Sequence, residues 1–168
     1  MNSIRDQVIL FLILLTSERC QALLHPFLSP ERTAYELLRL WFDDIYAPGT
    51  RYMETLKGDF SEAAVARFEE AFDVEELVSL ERFHHFLELR LEMLPEQERR
   101  KRVFPLTDSW RHIQKDARYL LQELEPNLNQ RRRELEEKLA RFVRGAPALD
   151  TSDQLFTRML NRGKTGSP

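Results

Sequence analysis

The chain has 168 residues, 42% of them apolar and 32% charged, with a net charge of −3, five glycines and one cysteine. That length buries roughly 70% of the unfolded surface without staples, and a lone cysteine excludes an internal disulfide framework. Few glycines disfavour a hairpin-rich topology, and with no glycine-rich phosphate loop or Gly-x-Ser-x-Gly elbow, the chemistries those motifs serve are excluded.

Ser3 with Asp6 reads as an N-cap and its returning acid, which predicts one helix from Ile4 to Leu24, closed by Pro26. Its run Val8–Leu15 is apolar on every side, the mark of a central helix or an oligomer contact. As helix that run covers ~12 Å, far short of the ~30 Å hydrocarbon core. Asp6 ahead of it, and no small-residue cleavage pattern behind it, argue against a signal peptide. The expectation is a cytoplasmic chain with no membrane contact, in keeping with the single thiol, Cys20.

Ser29 and Pro30 open the next helix, with a stripe of Ala34, Leu38, Trp41, Phe42 and Ile45, stopped at Pro48-Gly49. Residues 50–58 read as a connector. Asp59 with Glu62, and Asp73 with Glu76, are capping-box pairs. The first opens a short helix carrying Ala64, Val65, Phe68 and Phe72 inward; the second opens a long helix to about Leu94. Within it His85–Met93 alternates apolar and polar as a strand would, but its residues are helix formers and no partner strand exists, so helix is expected. After the charged link Pro95–Pro105, which is expected to be partly helical, Thr107 or Asp108 caps a helix with Trp110, Ile113, Ala117, Leu120, Leu121 and Leu124 inward, ended by Pro126. Leu128, Leu135, Leu139 and Phe142 share a face of the next, which ends at Gly145. A short helix over Asp153–Asn161 precedes a polar tail. The sum is an all-α, single-domain antiparallel helical bundle of about five main helices plus a short C-terminal helix, residues 1–162, with a frayed tail at 163–168.

Candidate chemistry centres on Glu81–Leu94. As helix, Leu77, Leu80, His84, Leu87, Leu91 and Leu94 form an apolar seam interrupted by His84, while His85 falls in an acidic stripe with Glu81, Glu88 and Glu92. The two imidazoles leave the axis about 100° apart, which argues against a joint two-histidine ligand set from this helix alone. Glu81-x-x-His84 resembles one of the paired motifs of di-iron helical bundles, but a second copy is missing: His112 has Ser109 and Asp108 before it. A divalent metal held by Glu81, His84, His85, Glu88 and His112 across helices is the alternative to an ordinary boundary histidine. His25 reads as a helix C-cap. Glu69, Glu70 and Asp73 resemble half of the magnesium site of all-helical nucleotide pyrophosphohydrolases, without the matching half.

Charge and surplus apolar surface point to partners. Residues 31–95 carry fifteen acids against seven bases, and residues 96–168 eleven against sixteen. Arg99, Arg100, Lys101 and Arg102 are the contiguous candidates for a phosphate or acidic partner. Around Arg131–Arg133 interleaved glutamates favour a solvent face, so nucleic acid is not the expected partner. Phe83, Phe86 and Met93 lie beside the His84 seam as a second apolar stripe, an expected contact with another copy or protein partner. The reading is an interaction or regulatory module that self-associates, without a cofactor and not an enzyme; the alternative is a metal-dependent enzyme with a carboxylate/histidine site between helices.

Overall fold

The computed structural model describes residues 3–51 and 62–145, with Thr50, Arg51, Leu139 and residues 142–145 described by their backbone alone. The regular secondary structure of those residues is all helical, and none of them forms a strand. Eight α-helices are described: α1 (Ile4–Thr16), α2 (Glu18–Leu24), α3 (Pro30–Leu40), α4 (Glu62–Glu70), α5 (Val74–Glu92), α6 (Glu96–Lys101), α7 (Asp108–Leu124) and α8 (Leu128–Gly145). Between α3 and α4 come a π-helical turn, Trp41–Ile45, and a 3-10 turn, Ala47–Arg51. The expected connector and the Asp59 cap fall largely, and the short C-terminal helix and polar tail wholly, outside the described residues.

The expected helix Ile4–Leu24 is two helices bent by 87°. Ser17 is the cause: its backbone is extended, and its hydroxyl accepts the Cys20 N–H as the N-cap of α2. The break also turns a buried helix toward the surface. Gln7 to Thr16 of α1 are all buried, whereas α2 buries only Cys20 and Leu24. No single helix among the described residues is long and apolar enough to cross a membrane. The link after Pro95, expected to be partly helical, carries α6, so there are more helices than the five main ones expected.

Both intact capping boxes expected from sequence are present, Ser3 with Asp6 and Asp73 with Glu76. Ser29 caps α3 with Pro30 behind it, and His25 is the C-cap of α2. The alternating segment His85–Met93 is helical: with α7 burying one flank of α5, a helical repeat hides Leu80, Phe83, His84 and Leu87 together, which a period of two would not.

α1 packs against α2, α3 and α7, and α7 packs in turn against α5. Arg5 ties the three ends together. Its guanidinium donates to both Glu76 oxygens, at 3.0 and 2.7 Å, and to the Leu124 carbonyl at the end of α7, at 2.6 Å. That bond to Arg5, with its charge and the capping contact to Asp73, holds the Glu76 carboxyl below the usual carboxylate range. Arg131 of α8 pairs with Asp6. Glu36, with a fully buried side chain, receives Arg39 at 2.8 Å and Arg102 at 2.9 Å, which pins the left-handed residue Arg102 at the end of α6 to α3.

Candidate functional site

The π turn builds the site. Its signature bond runs from the Tyr46 N–H to the Trp41 carbonyl, at 2.9 Å, one residue further than an α-helical bond. Trp41, Phe42, Ile45 and Tyr46 of this turn are all buried. The sequence stripe identified the first three; Tyr46, four residues after Phe42, continues it. α5 presents His84 to this cluster, and the imidazole is 2% exposed.

Four contacts fix the His84 ring. The Trp41 indole N–H donates to Nδ1 at 3.2 Å. Tyr46 stacks on His84 with centroids 4.5 Å apart and on Trp41 at 5.0 Å. Because Trp41 and His84 are hydrogen-bonded edge to edge, Tyr46 lies across both. Phe42 tilts against the imidazole at 5.3 Å. Gly49 closes the far edge: a Cβ there would stand 2.9 Å from His84 Cε1, so only glycine lets the 3-10 turn come this near.

These contacts assign the proton. An indole N–H only donates, so His84 Nδ1 is the acceptor and the neutral ring carries its hydrogen on Nε2. Protonating Nδ1 would set two N–H groups against each other. Burial, with His85 alongside, holds the imidazole down to about 4 from 6.5. Nε2–H has no hydrogen-bond partner; the nearest carboxylate oxygen, of Glu88, is 3.6 Å away.

His85 is half exposed and bracketed by acids, Nε2 at 3.7 Å from Glu81 and Nδ1 at 3.6 Å from Glu88. One nitrogen of each histidine and a Glu88 oxygen lie within 4.8 Å of one another. This corrects the expectation that adjacent imidazoles on one helix diverge too far to act together: both side chains lean toward Glu88, one turn on. Glu81 stands behind His85 rather than in this group, and His112 is exposed on α7 and also absent from it. A cavity of about 190 Å³ adjoins the cluster, lined by Tyr46, Pro48, Glu69, Leu77, Glu81, His84 and His85. Glu69, singled out in sequence as half a magnesium arrangement, thus belongs to the same wall as the histidines.

A metal fits this cluster in spacing but not in protonation. Ligand atoms of a tetrahedral ion with bonds of ~2.0–2.1 Å stand ~3.4 Å apart; here each histidine has a nitrogen 3.6 Å from a Glu88 oxygen, a different oxygen for each, and the three ligand atoms lie within 4.8 Å of one another. A ligating Nε2, however, carries no proton, and its ring donates from Nδ1 to an acceptor. Trp41 supplies a donor there instead. A metal on His84 would have to break that bond or strip the ring to imidazolate.

The other sequence candidates are dispersed. Phe83 is 4% exposed and meets Trp41 edge-on at 5.2 Å, so it is core and not an interface residue. Phe86 is half-buried under the Arg90 guanidinium, at 4.7 Å. Met93 is exposed, and so are Val74, Val78 and Leu89 of the same helix. Arg99 donates to the Glu92 and Leu94 carbonyls, capping α5; Arg100 pairs with Glu96 and Arg102 with Glu36. Three of the four basic candidates therefore have partners within the chain. No protein-family model matches this chain, and neither a curated protein nor a solved structure is significantly similar to it.

Proposed function

We propose that this chain is a helical interaction module that self-associates through the outer face of α5. One observation carries the reading: four aliphatic side chains on that face are half exposed or more, Val74 at 77% and Met93 at 67%, with Val78 and Leu89 between them. Their spacing is self-complementary. Val74 and Met93 lie equally far from the middle of the helix, and so do Val78 and Leu89. An antiparallel, two-fold pairing of α5 with a second copy then sets Val74 against Met93 and Val78 against Leu89, the isologous pattern of most dimers. The same register sets Glu75 against Glu92, so salt should strengthen it. So few half-exposed side chains support a weak dimer, with a dissociation constant on the order of micromolar to millimolar. The reading takes the fold as a bundle with antiparallel neighbours in the cytoplasm, where the buried, free Cys20 stays reduced.

Sedimentation equilibrium tests it. Wild type should dimerise weakly and more tightly at high salt, and Leu89→Ser with Met93→Ser should weaken the dimer at least about tenfold without loss of helix. A wild-type chain that stays monomeric up to millimolar concentration refutes the reading. The second reading, a metal-dependent enzyme using Glu81, His84, His85 and Glu88, is favoured by the ligand spacing and opposed by the Trp41 hydrogen bond. Stoichiometric zinc that His85→Ala and Glu88→Gln abolish would support it.

A further inference from the structure

We propose that the exposed face of α7, joined by Arg82 of α5, docks an acidic helix of a partner protein through a row of unpaired bases and Tyr119. Self-association is not required for it. Arg111, Lys115 and Arg118 recur at steps of four and three residues, so they share one line along α7, roughly 10 Å long. All three are exposed. Lys115 and Arg118 have no ion pair or hydrogen bond among the described residues. Arg111 meets only Asp108, at 3.3 Å, with both side chains at least three-quarters exposed, a pair that contributes little. Between Arg111 and Tyr119 the one acid, Asp116, is half-buried and lies about 100° round the helix from Lys115. α5 adds to the row. Ser79 Oγ donates to Glu123 at 3.0 Å and Arg5 bridges Glu76 to the Leu124 carbonyl, so α5 and α7 run antiparallel. Arg82, one turn on from Ser79, is then level with Tyr119, one turn back from Glu123, and it too is exposed without an ion pair among the described residues.

The row selects its occupant by charge, length and spacing. Four cations around one ring match carboxylates beside an apolar contact. Tyr119 is 63% exposed, and a tyrosine there is a rigid anchor of the kind that dominates interfaces. A helix laid antiparallel on α7 rises by the same ~1.5 Å per residue, so carboxylates three and four residues apart fall opposite all three bases. The row is also short. Asp108 and Glu123, both exposed, stand at its two ends. A nucleic-acid duplex, with one charge per ~1.7 Å, runs past both onto acid, and an anionic membrane is wider still. Among the described residues no helix presents three exposed acids at these steps, so a second copy does not supply the matching edge.

The test uses the full chain and fluorescence anisotropy. The probe is a labelled, alanine-based helical peptide of ~20 residues, with three glutamates at those steps and a leucine to meet Tyr119. It should bind saturably, at least about fivefold tighter than a peptide of the same composition with its glutamates spread around the helix. Salt should weaken this binding, whereas it strengthens the α5 dimer. Lys115→Glu with Arg118→Glu should weaken the peptide at least about tenfold, and Lys115→Ala with Arg118→Ala less, with circular dichroism unchanged. Leu89→Ser with Met93→Ser, which breaks the dimer, should leave peptide binding as it is, so the two readings fail separately. Equal binding of the spread peptide overturns the helical register, and unchanged binding by the charge-reversed chain overturns the α7 site. Tighter binding of a DNA duplex or of phosphatidylserine vesicles overturns the protein partner. Self-association that salt and the charge reversal both weaken makes the occupant a second copy, against the proposal. Absence of any saturable binding up to millimolar peptide overturns it altogether.

Discussion

α1 and α5 are both rich in leucine, and they do opposite things with it. From Gln7 onward every residue of α1 is buried, so the helix serves the core on all sides. α5 buries one flank, with Leu80, Phe83, His84 and Leu87, and leaves Val74, Val78, Leu89 and Met93 to solvent. A helix enclosed on all sides has only packing to contribute. A helix with two unlike flanks can hold a titratable group dry on one side and offer a contact on the other.

The first way to break the comparison is at α1. Phe11 is fully buried and packs on Trp41 at 5.4 Å. Phe11→Ala should lower unfolding free energy in urea by ~3–5 kcal/mol. A loss below ~1 kcal/mol would mean that α1 is not the enclosed helix described.

The second is acid. The folded pKa of His84, about 4, lies below the unfolded 6.5, so the unfolded chain binds more protons in between. The contribution is therefore full above pH 6.5 and lost as pH falls from 6.5 to about 4. The loss should reach about 3 kcal/mol in wild type and vanish in His84→Phe. Glu76 adds an acid-sensitive part of its own, because its depressed pKa stabilises the fold above the ordinary carboxylate range and this is lost below it. That part persists in His84→Phe, so the difference between the two urea series isolates the imidazole.

Third, Gly49→Ala pushes a methyl against His84 and Tyr46 and should cost ~1–3 kcal/mol, with the His84 ring signals displaced. Smallest is the outer flank. Leu89→Ser and Met93→Ser should each change stability by less than ~0.5 kcal/mol, because both side chains are already in water. A large loss there would place that flank in the core and remove the contrast.

Much of the helix pattern is legible in the residues themselves. The capping boxes at Ser3 and Asp73, the Ser29-Pro30 start and the 3.6-residue repeat through α7 each carry a local cause. The bend at Ser17 was less so, since a serine inside an apolar helix and a serine capping a new one look alike until the chain's direction is known. The site was half legible. His84 breaking an apolar seam is visible as a pattern, and so is the acidic stripe around His85. Trp41 stands in the apolar stripe, but its hydrogen bond to His84 is not legible, nor is the close approach of Gly49, because both depend on how the turns after α3 meet α5. Side-chain lean is also invisible to a helical wheel, which is why His84 and His85 were expected to diverge and instead meet at Glu88.

The central claim is that Trp41 holds His84 neutral with its proton on Nε2, on the dry flank of α5. A pH titration of the histidine side-chain nitrogens by long-range ¹H–¹⁵N correlation tests it most directly. The account predicts one histidine, absent from the spectrum of His84→Phe, that keeps its proton on Nε2 and stays neutral from pH 6.5 down toward about 4. If that histidine titrates near 6.5, or carries its proton on Nδ1, the account is contradicted.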